Sequence, residues 1–233
     1  ARLLLNEGAD VNAKNGDGMT PLHFAAVLVD EDAVRLLLDS GADVNATNNW
    51  GLTPLHEATT FARTEEVPRL LLDRGADVNA KDMKQRTPLH KASLGSEDAT
   101  VITFLLAQGA DINAADDRGM TPLHFASWKG REAKVRALVE QGADVTLKDA
   151  EGKTAVDIAK TPALRTALLA AVTKREDRKK NARGLAEVSA FKQKIPHDLI
   201  RGPLAAYLDL KPKKAGRKTR ARKPKRRQTL RKR

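Results

Sequence analysis

The sequence predicts an all-α fold, a solenoid of short helix–turn–helix units followed by a largely disordered basic C-terminal tail. Two observations predict the solenoid: a repeat of 33 or 34 residues, and a composition that is 41% hydrophobic but only 3% aromatic. A core of Leu, Ala and Val with few rings suits stacked short helices better than a β-sandwich. The third observation is charge: residues 1–173 carry a net charge of −6, whereas residues 174–233 carry +18. The two parts are therefore physically different.

Two motifs define the repeat. Thr-Pro-Leu-His begins at Thr20, Thr53, Thr87 and Thr121, and a degraded copy begins at Thr154, at spacings of 33, 34, 34 and 33 residues. Gly-Ala-Asp-(Val/Ile)-Asn-Ala keeps the same spacing and begins at Gly8, Gly41, Gly75 and Gly109, with a variant at Gly142. Two motifs locked at one period indicate a stack of equivalent structural units.

Each unit contains the signals for two helices. Thr20 is a helix N-cap, and Pro21 occupies the first helical position, where no N–H donor is needed. The apolar residues Val34, Leu37 and Leu38 predict a second helix, which Gly41 ends as a left-handed C′ residue. We expect the four motif histidines to tie each loop to the next unit by hydrogen bonds. Gln85 replaces the glycine found at the same position of the other repeats, which predicts mild strain if that position needs a positive φ.

The Thr-Pro-Leu-His-x-Ala signature and the period resemble the ankyrin-repeat family over residues 1–173. The resemblance implies a half repeat (1–13), full repeats at 14–46, 47–80, 81–114 and 115–147, and a C-terminal capping repeat at 148–173. We expect the N-terminus to be incomplete, because no matching N-terminal cap precedes the first repeat. The resemblance also implies a protein-binding scaffold or adaptor.

Several functions are made improbable by the composition. The chain has no cysteine, which excludes disulfides and thiolate chemistry. It has no phosphate-binding glycine loop, no nucleophile elbow and no zinc-protease motif. We therefore expect a non-enzymatic protein without a cofactor or metal. No apolar run reaches the roughly 20 residues of a membrane-spanning helix, so we expect an intracellular protein of the nucleus or cytoplasm with no membrane insertion.

In the family that the sequence resembles, partners contact the hairpin tips and the short inner helices. Both tryptophans of the chain fall at such positions, and exposed Trp, Met and Arg are enriched at binding hot spots. The predicted partner-binding residues are Asp17, Met19, Leu28, Trp50, Leu52, Phe61, Met83, Lys84, Arg86, Met120, Trp128 and Lys129.

The segment after the repeats supports further hypotheses. Residues 174–210 read as a charged linker and a short helical segment, and residues 195–210 have a faint similarity to the F-box, which would make the chain a substrate receptor of a ubiquitin ligase. Residues 211–233 contain 14 Lys+Arg and no acidic residue. Such a run predicts a nuclear-localisation signal read by importin, or non-specific contact with nucleic acid. The residues that carry this prediction are Lys211, Lys213, Lys214, Lys223, Lys225, Arg226 and Arg227.

Overall fold

Each repeat folds into a pair of short helices, because Thr-Pro begins the first helix and a glycine with positive φ follows the second. The computed structural model describes residues 7–95 and 98–194. The pairs are α1 (Pro21–Leu28) with α2 (Glu31–Asp39), α3 (Pro54–Phe61) with α4 (Glu66–Asp73), α5 (Pro88–Leu94) with α6 (Thr100–Ala107), and α7 (Pro122–Lys129) with α8 (Glu132–Glu140). The all-α prediction is confirmed: the described residues contain no strand, only an isolated bridge between Lys148 and Thr154.

The first helices of neighbouring repeats pack on one another, and the second helices do so between the first and second repeats and between the third and fourth. The leucine of each Thr-Pro-Leu-His motif lies at the centre of this packing and is fully or almost fully buried, at Leu22, Leu55, Leu89 and Leu123. The buried apolar residues form two clusters, one in the first two full repeats and one from Ala62 to Leu168, and the partly buried Val29 and Leu72 pack against both. This is expected of a solenoid whose units cannot bury their apolar face alone.

The motif histidines join each repeat to the next, as the sequence predicts. In the first repeat the Thr20 amide donates to His23 Nδ1 (3.2 Å), and His23 Nε2 donates to the Leu52 carbonyl (2.9 Å). The other three bridges run from the histidine Nε2 to the carbonyls of Arg86, Met120 and Lys153, at 2.9, 3.0 and 3.2 Å. A carbonyl only accepts hydrogen bonds, so each Nε2 carries the hydrogen. In all four repeats Nδ1 accepts the amide of the motif threonine and therefore carries none, so each ring is neutral.

A second set of bridges uses the asparagine of the Gly-Ala-Asp-Val-Asn motif. Asn45 Nδ2 donates to the Gly75 carbonyl (2.9 Å), and Asn45 Oδ1 accepts from the Asp77 amide (2.9 Å). Asn12 and Asn79 make the same pair of bonds one repeat earlier and one repeat later. Loops on this side of the stack are therefore fixed relative to one another by side chain to backbone hydrogen bonds.

The last repeat keeps the hydrogen bonds between its threonine and the residue at the histidine position, but that residue does not bridge to a following loop. Asp157 occupies the histidine position, and its Oδ2 accepts from the Thr154 amide (2.8 Å) and hydroxyl (2.7 Å). A carboxylate has no hydrogen to donate to a further carbonyl. Residues 155–158 form turns instead of a regular first helix, and α9 (Pro162–Lys194) follows.

Helix α9 is 33 residues long and runs through residue 173, where the sequence-based domain boundary lies. Its first part packs on the repeats through Leu164 and Leu168, which are buried in the core cluster that begins in the second repeat. The compact unit that contains the repeats extends to Arg178. Thr166 and Lys174 are both exposed, as suits a capping repeat, whose outer face must be polar.

The hairpin of the third repeat contains the one polar residue of the described chain with a left-handed backbone. Gln85 has φ 58°, whereas Gly18, Gly51 and Gly119 at the same position have φ 74°, 74° and 71°. The position therefore does require a positive φ, and the strain predicted from the sequence is present. A side chain in this region costs roughly 1–2 kcal/mol relative to glycine before backbone entropy is counted.

Candidate protein-binding face

The hairpin tips are connected in a continuous row. The Asn49 amide donates to the Asp17 carbonyl (2.9 Å), and the Met83 amide donates to the Trp50 carbonyl (3.0 Å). The row continues with Asp117 to Lys84 (3.0 Å) and Ala150 to Arg118 (2.8 Å). Each tip is therefore held by the main chain of its neighbour, which gives a row of side chains at fixed spacing.

We define the inner face as the hairpin tips (residues 16–19, 49–52, 83–86 and 117–120) together with the exposed sides of α1, α3, α5 and α7. Seven large apolar side chains are exposed among the described residues, and six belong to this face: Phe24, Leu28, Trp50, Phe61, Met83 and Trp128. The seventh, Leu169, lies on α9. Described large apolar residues on α2, α4, α6 and α8 are buried or half-buried.

The predicted partner-binding residues divide into two groups in the structure. Eight are exposed: Asp17, Leu28, Trp50, Phe61, Met83, Lys84, Trp128 and Lys129. Trp50, Phe61 and Trp128 leave 52%, 53% and 52% of their surface open, which is far more than a core aromatic residue. The other four, directly before each Thr-Pro, are half-buried: Met19, Leu52, Arg86 and Met120.

Arg86 is held within the protein. Its guanidinium lies 5.0 Å above the Phe125 ring, and its Nε donates to Asp116 Oδ2 (3.4 Å). Phe125 is buried and also meets the His90 ring edge-on. Arg86 thus fills a cation site of the following repeat with its own side chain. At the far end of the face, Lys129 Nζ lies 4.5 Å from the Trp128 ring centre.

The sequence analysis did not single out the position directly after each motif histidine, which carries a charged residue in two repeats. This position is Phe24, Glu57, Lys91 and Phe125 in successive repeats. Lys91 Nζ pairs with Asp82 Oδ2 at 3.0 Å, and both side chains are largely buried. The signal in the sequence is the change of residue type at this one position, which is aromatic, acidic, basic and again aromatic in successive repeats.

Electrostatics differ between the two charged members of this row. Burial opposes ionisation of Asp82, yet the Arg86 and Lys84 amides and the Lys91 ammonium together hold the pKa of Asp82 below its ordinary value. Burial raises the pKa of Glu57, and the Lys91 charge opposes this only in part. Among the described residues Glu57 makes neither a salt bridge nor a side-chain hydrogen bond.

The motif histidines are poorly suited to binding a metal ion or to acid–base catalysis. The motif histidines use both ring nitrogens in hydrogen bonds, and burial lowers the pKa of each of them, for His56 to about 4. In residues 7–95 and 98–194 no group of three or more His, Asp or Glu could hold a metal ion. A search of the same residues finds no helix long and apolar enough to cross a membrane.

Three sequence hypotheses lie outside the described residues. The F-box-like segment at 195–210 and the basic run at 211–233 both follow Lys194, the last residue that the structure describes. The importin, nucleic-acid and ubiquitin-ligase hypotheses that rest on these segments therefore stay predictions.

The stacked helix pairs, the projecting tips and the exposed inner face define a helical repeat solenoid that works by binding. The family model for ankyrin repeats (3 copies) matches residues 1–82 and 81–149. The chain belongs to the ankyrin-repeat family, which confirms the resemblance read from its two motifs. A search of curated proteins gives no match to the chain.

Membership of this family makes the chain a protein–protein interaction module, since the ankyrin fold is a non-enzymatic interaction fold. The repeats therefore point to another protein as the partner.

Proposed function

We propose that this protein is a scaffold or adaptor that holds a partner protein on its inner face. The observation that carries the proposal is the distribution of large apolar side chains exposed in the described part of the chain, six of seven of which belong to this face. Exposed apolar side chains gathered on one surface, with Trp and Met among them, are typical of a protein interface. The rigid row of tips supports the same function, because a pre-organised surface loses little conformational entropy on binding.

The test is an affinity capture with the intact chain and a Trp50→Ala/Trp128→Ala variant as baits. Both side chains are half exposed, so their removal leaves the repeat core intact. A partner identified on the intact chain should bind the variant at least about tenfold more weakly, as expected for loss of two interface anchors. A Leu169→Ala variant, which removes the exposed apolar side chain on α9, is the matched control.

Equal binding by the intact chain and the tryptophan variant, measured with the purified partner, would remove the inner face as the recognition surface. Loss of binding in the Leu169→Ala control would place the interface on α9 instead. Both variants need the same thermal unfolding midpoint as the parent chain for the comparison to stand.

We also propose that the basic tail sets location by presenting a nuclear-import signal. The support is the density of charge in residues 211–233, with 14 Lys+Arg and no acidic residue to pair with them. A fluorescent fusion of the full chain should accumulate in the nucleus, and a version with Lys223, Lys225, Arg226 and Arg227 changed to Ala should not. An unchanged distribution would refute this role and leave the inner-face proposal untouched.

A further inference from the structure

The inner face is divided by charge. The tips and first helices of the first two full repeats contain Asp17 and Glu57 and no Lys or Arg. The corresponding parts of the next two repeats contain five basic residues: Lys84, Arg86, Lys91, Arg118 and Lys129. A partner that covers the whole face must therefore present different chemistry to its two halves.

Two repeats show how this scaffold accommodates a cation. Asp82 and Asp116 each use one carboxylate oxygen, Oδ1, to accept two hairpin amides, which leaves Oδ2 for a cation. In the third repeat that cation is Lys91, and in the fourth it is Arg86 from the preceding hairpin. Both cation sites are filled by residues of the chain itself.

The second repeat has the same architecture without a cation. Asn48 Oδ1 accepts the Trp50 and Leu52 amides (3.0 Å each), which fixes Nδ2 at the place of the free carboxylate oxygen. Asn48 is 95% buried, and its Nδ2, itself a buried atom, has no hydrogen-bond partner among the described residues. Glu57 stands at the position of Lys91 and is likewise unpaired among the described residues. The preceding hairpin supplies Met19 at the position of Arg86.

An unpaired donor and an unpaired carboxylate in one repeat specify a ligand. The carboxylate needs a cation, and the buried amide needs an acceptor, since an unsatisfied buried polar group costs roughly 1–3 kcal/mol. A basic residue in a polypeptide offers both, an ammonium or guanidinium and its own main-chain carbonyl. Phe24, Trp50 and Phe61 are exposed on the same two repeats of the inner face, and aromatic rings are the side chains that make cation–π contacts.

We propose that Glu57 and Asn48 form a recognition site for one lysine or arginine of the partner, flanked by apolar side chains. Glu57 binds the cationic side chain. Asn48 Nδ2 is buried below the surface, and it becomes accessible to a main-chain carbonyl of the same segment when the Glu57 side chain turns toward the cation. The proposal rests on the proposed function, because it assigns the chemistry of the partner that the inner face binds. It also gives a direction: the basic residue lies over the second repeat, beside the Lys91–Asp82 pair of the third repeat.

The test uses a random peptide library displayed on phage, selected against the intact full-length chain. Selected peptides are synthesised, and their dissociation constants are measured by fluorescence anisotropy on the parent chain and four variants. Glu57→Gln removes the charge and keeps the shape, Glu140→Gln is a matched control on the exposed side of α8, and Trp50→Ala and Phe61→Ala report on the inner face. A second selection on Glu57→Lys repeats the experiment with the charge inverted.

The expected result is a set of inner-face peptides enriched in Lys or Arg relative to the library. These peptides should bind Glu57→Gln about tenfold more weakly or worse, because a charge-assisted contact is lost, and bind Glu140→Gln like the parent. The Glu57→Lys selection should lose the basic enrichment.

Two results separate the inference from the proposed function. If peptides lose affinity with Trp50→Ala or Phe61→Ala but show no basic enrichment, or bind Glu57→Gln like the parent, the cation site is wrong and the inner face still stands. If the library gives no binder, or only binders indifferent to Trp50→Ala and Phe61→Ala, both proposals fail.

Discussion

At the scale of single residues, the motif histidines combine two tasks in one ring. His56 accepts the Thr53 amide at Nδ1 (3.1 Å), which caps α3, and donates from Nε2 to the Arg86 carbonyl, which ties the second repeat to the third. A proton on Nδ1 would face the Thr53 N–H, so protonation removes the cap while the bridge stays. The cap of α3 therefore requires that the His56 ring be neutral.

This condition predicts a pH dependence of stability. Burial lowers the pKa of His56 from 6.5 to about 4, and those of His23, His90 and His124 in the same direction. The unfolded chain then binds more protons than the folded chain below pH 6.5. Stability is therefore fully present above that pH and falls as the pH decreases. For His56 the loss continues toward pH 4, by up to about 1.4 kcal/mol per pH unit, and the other three histidines act in the same direction.

Chemical denaturation at pH 7.5, 6.0 and 5.0 measures this effect. The raised pKa of Glu57 acts in the opposite sense, but it is one group against four. The lowered pKa values of Asp82 and Asp157 matter only below their ordinary value of 3.8, outside this range. A free energy of unfolding that does not change between pH 7.5 and 5.0 would contradict the buried neutral histidines.

The strained residue Gln85 gives a second prediction at this scale. Gln85→Gly should stabilise the protein by about 1 kcal/mol, because relief of the left-handed side chain exceeds the added entropy of glycine in the unfolded state. Gln141→Gly is the matched control: Gln141 has φ −79°, so the same change should destabilise. Thermal unfolding of both variants measures the two changes in stability. Stability changes of the same sign in both variants would contradict the strain at Gln85.

At the scale of elements, the connections between the two helices of a repeat differ in length. Gly95, in the connection of the third repeat, lies against the second repeat. The second and third repeats each have one extra residue, and their helix-to-helix connections are longer than those of the first and fourth. A Cβ on Gly95 would lie 2.5 Å from the Thr60 carbonyl oxygen. The longer connection of the third repeat therefore packs directly on the end of α3.

Gly95→Ala should destabilise the protein by about 1–3 kcal/mol, as expected when added atoms meet backbone that cannot move away. Gly16→Ala is the control, because a Cβ on Gly16 meets nothing within 4 Å and Gly16 has no positive φ. Denaturant unfolding of both variants measures the difference. A Gly95→Ala protein as stable as the Gly16→Ala protein would show that this contact adds little.

The sequence predicts the elements well where local chemistry determines them, and less well where neighbours do. Thr-Pro and the motif glycines fix the four helix pairs, and the leucine and histidine positions follow from the repeat. Lys134 shows the opposite case: it reads as a surface residue of α8, yet it is almost fully buried and donates to the Ala92 carbonyl of the third repeat. The charged stretch Lys174–Arg183 is compatible in sequence with either a solvated helix extension or a linker, because it has no apolar face, and in the structure it belongs to helix α9.

The candidate site divides in the same way. Trp50 and Trp128 were recognisable from their residue type and their position in the repeat. Asn48 and Glu57 were not, because their meaning depends on Lys91 and Arg86 filling the equivalent places in other repeats. Pairing between repeats is visible only when the repeats are stacked.

At the scale of the whole molecule, contacts join helices of the same or neighbouring repeats. Stability of such an array is approximately a sum of repeat and interface terms, and local opening stays local. The motif leucines Leu22 and Leu89 are both fully buried and occupy the same position in the first and third full repeats. They give a matched pair for testing how far a defect spreads.

Leu22→Ala and Leu89→Ala should each cost about 2–5 kcal/mol locally, from lost burial and the cavity left behind. Hydrogen exchange measured by mass spectrometry should then show faster exchange in α1–α4 for Leu22→Ala, with α7 and α8 unchanged. Leu89→Ala should accelerate exchange on both of its sides, in α3–α8. Uniform acceleration in both variants would mean that the described array opens as a single cooperative unit.

The histidine bridges have a consequence for how such a protein can change over generations. The receiving groups belong to Leu52, Arg86, Met120 and Lys153, which share no side-chain chemistry, yet each offers the same main-chain carbonyl. The side chains at these positions can vary without removing the acceptor. Likewise, a unit duplicated or deleted in register would still find a donor on one side and an acceptor on the other. Side chains at these positions can therefore diversify while the hydrogen bonds that join the repeats are kept.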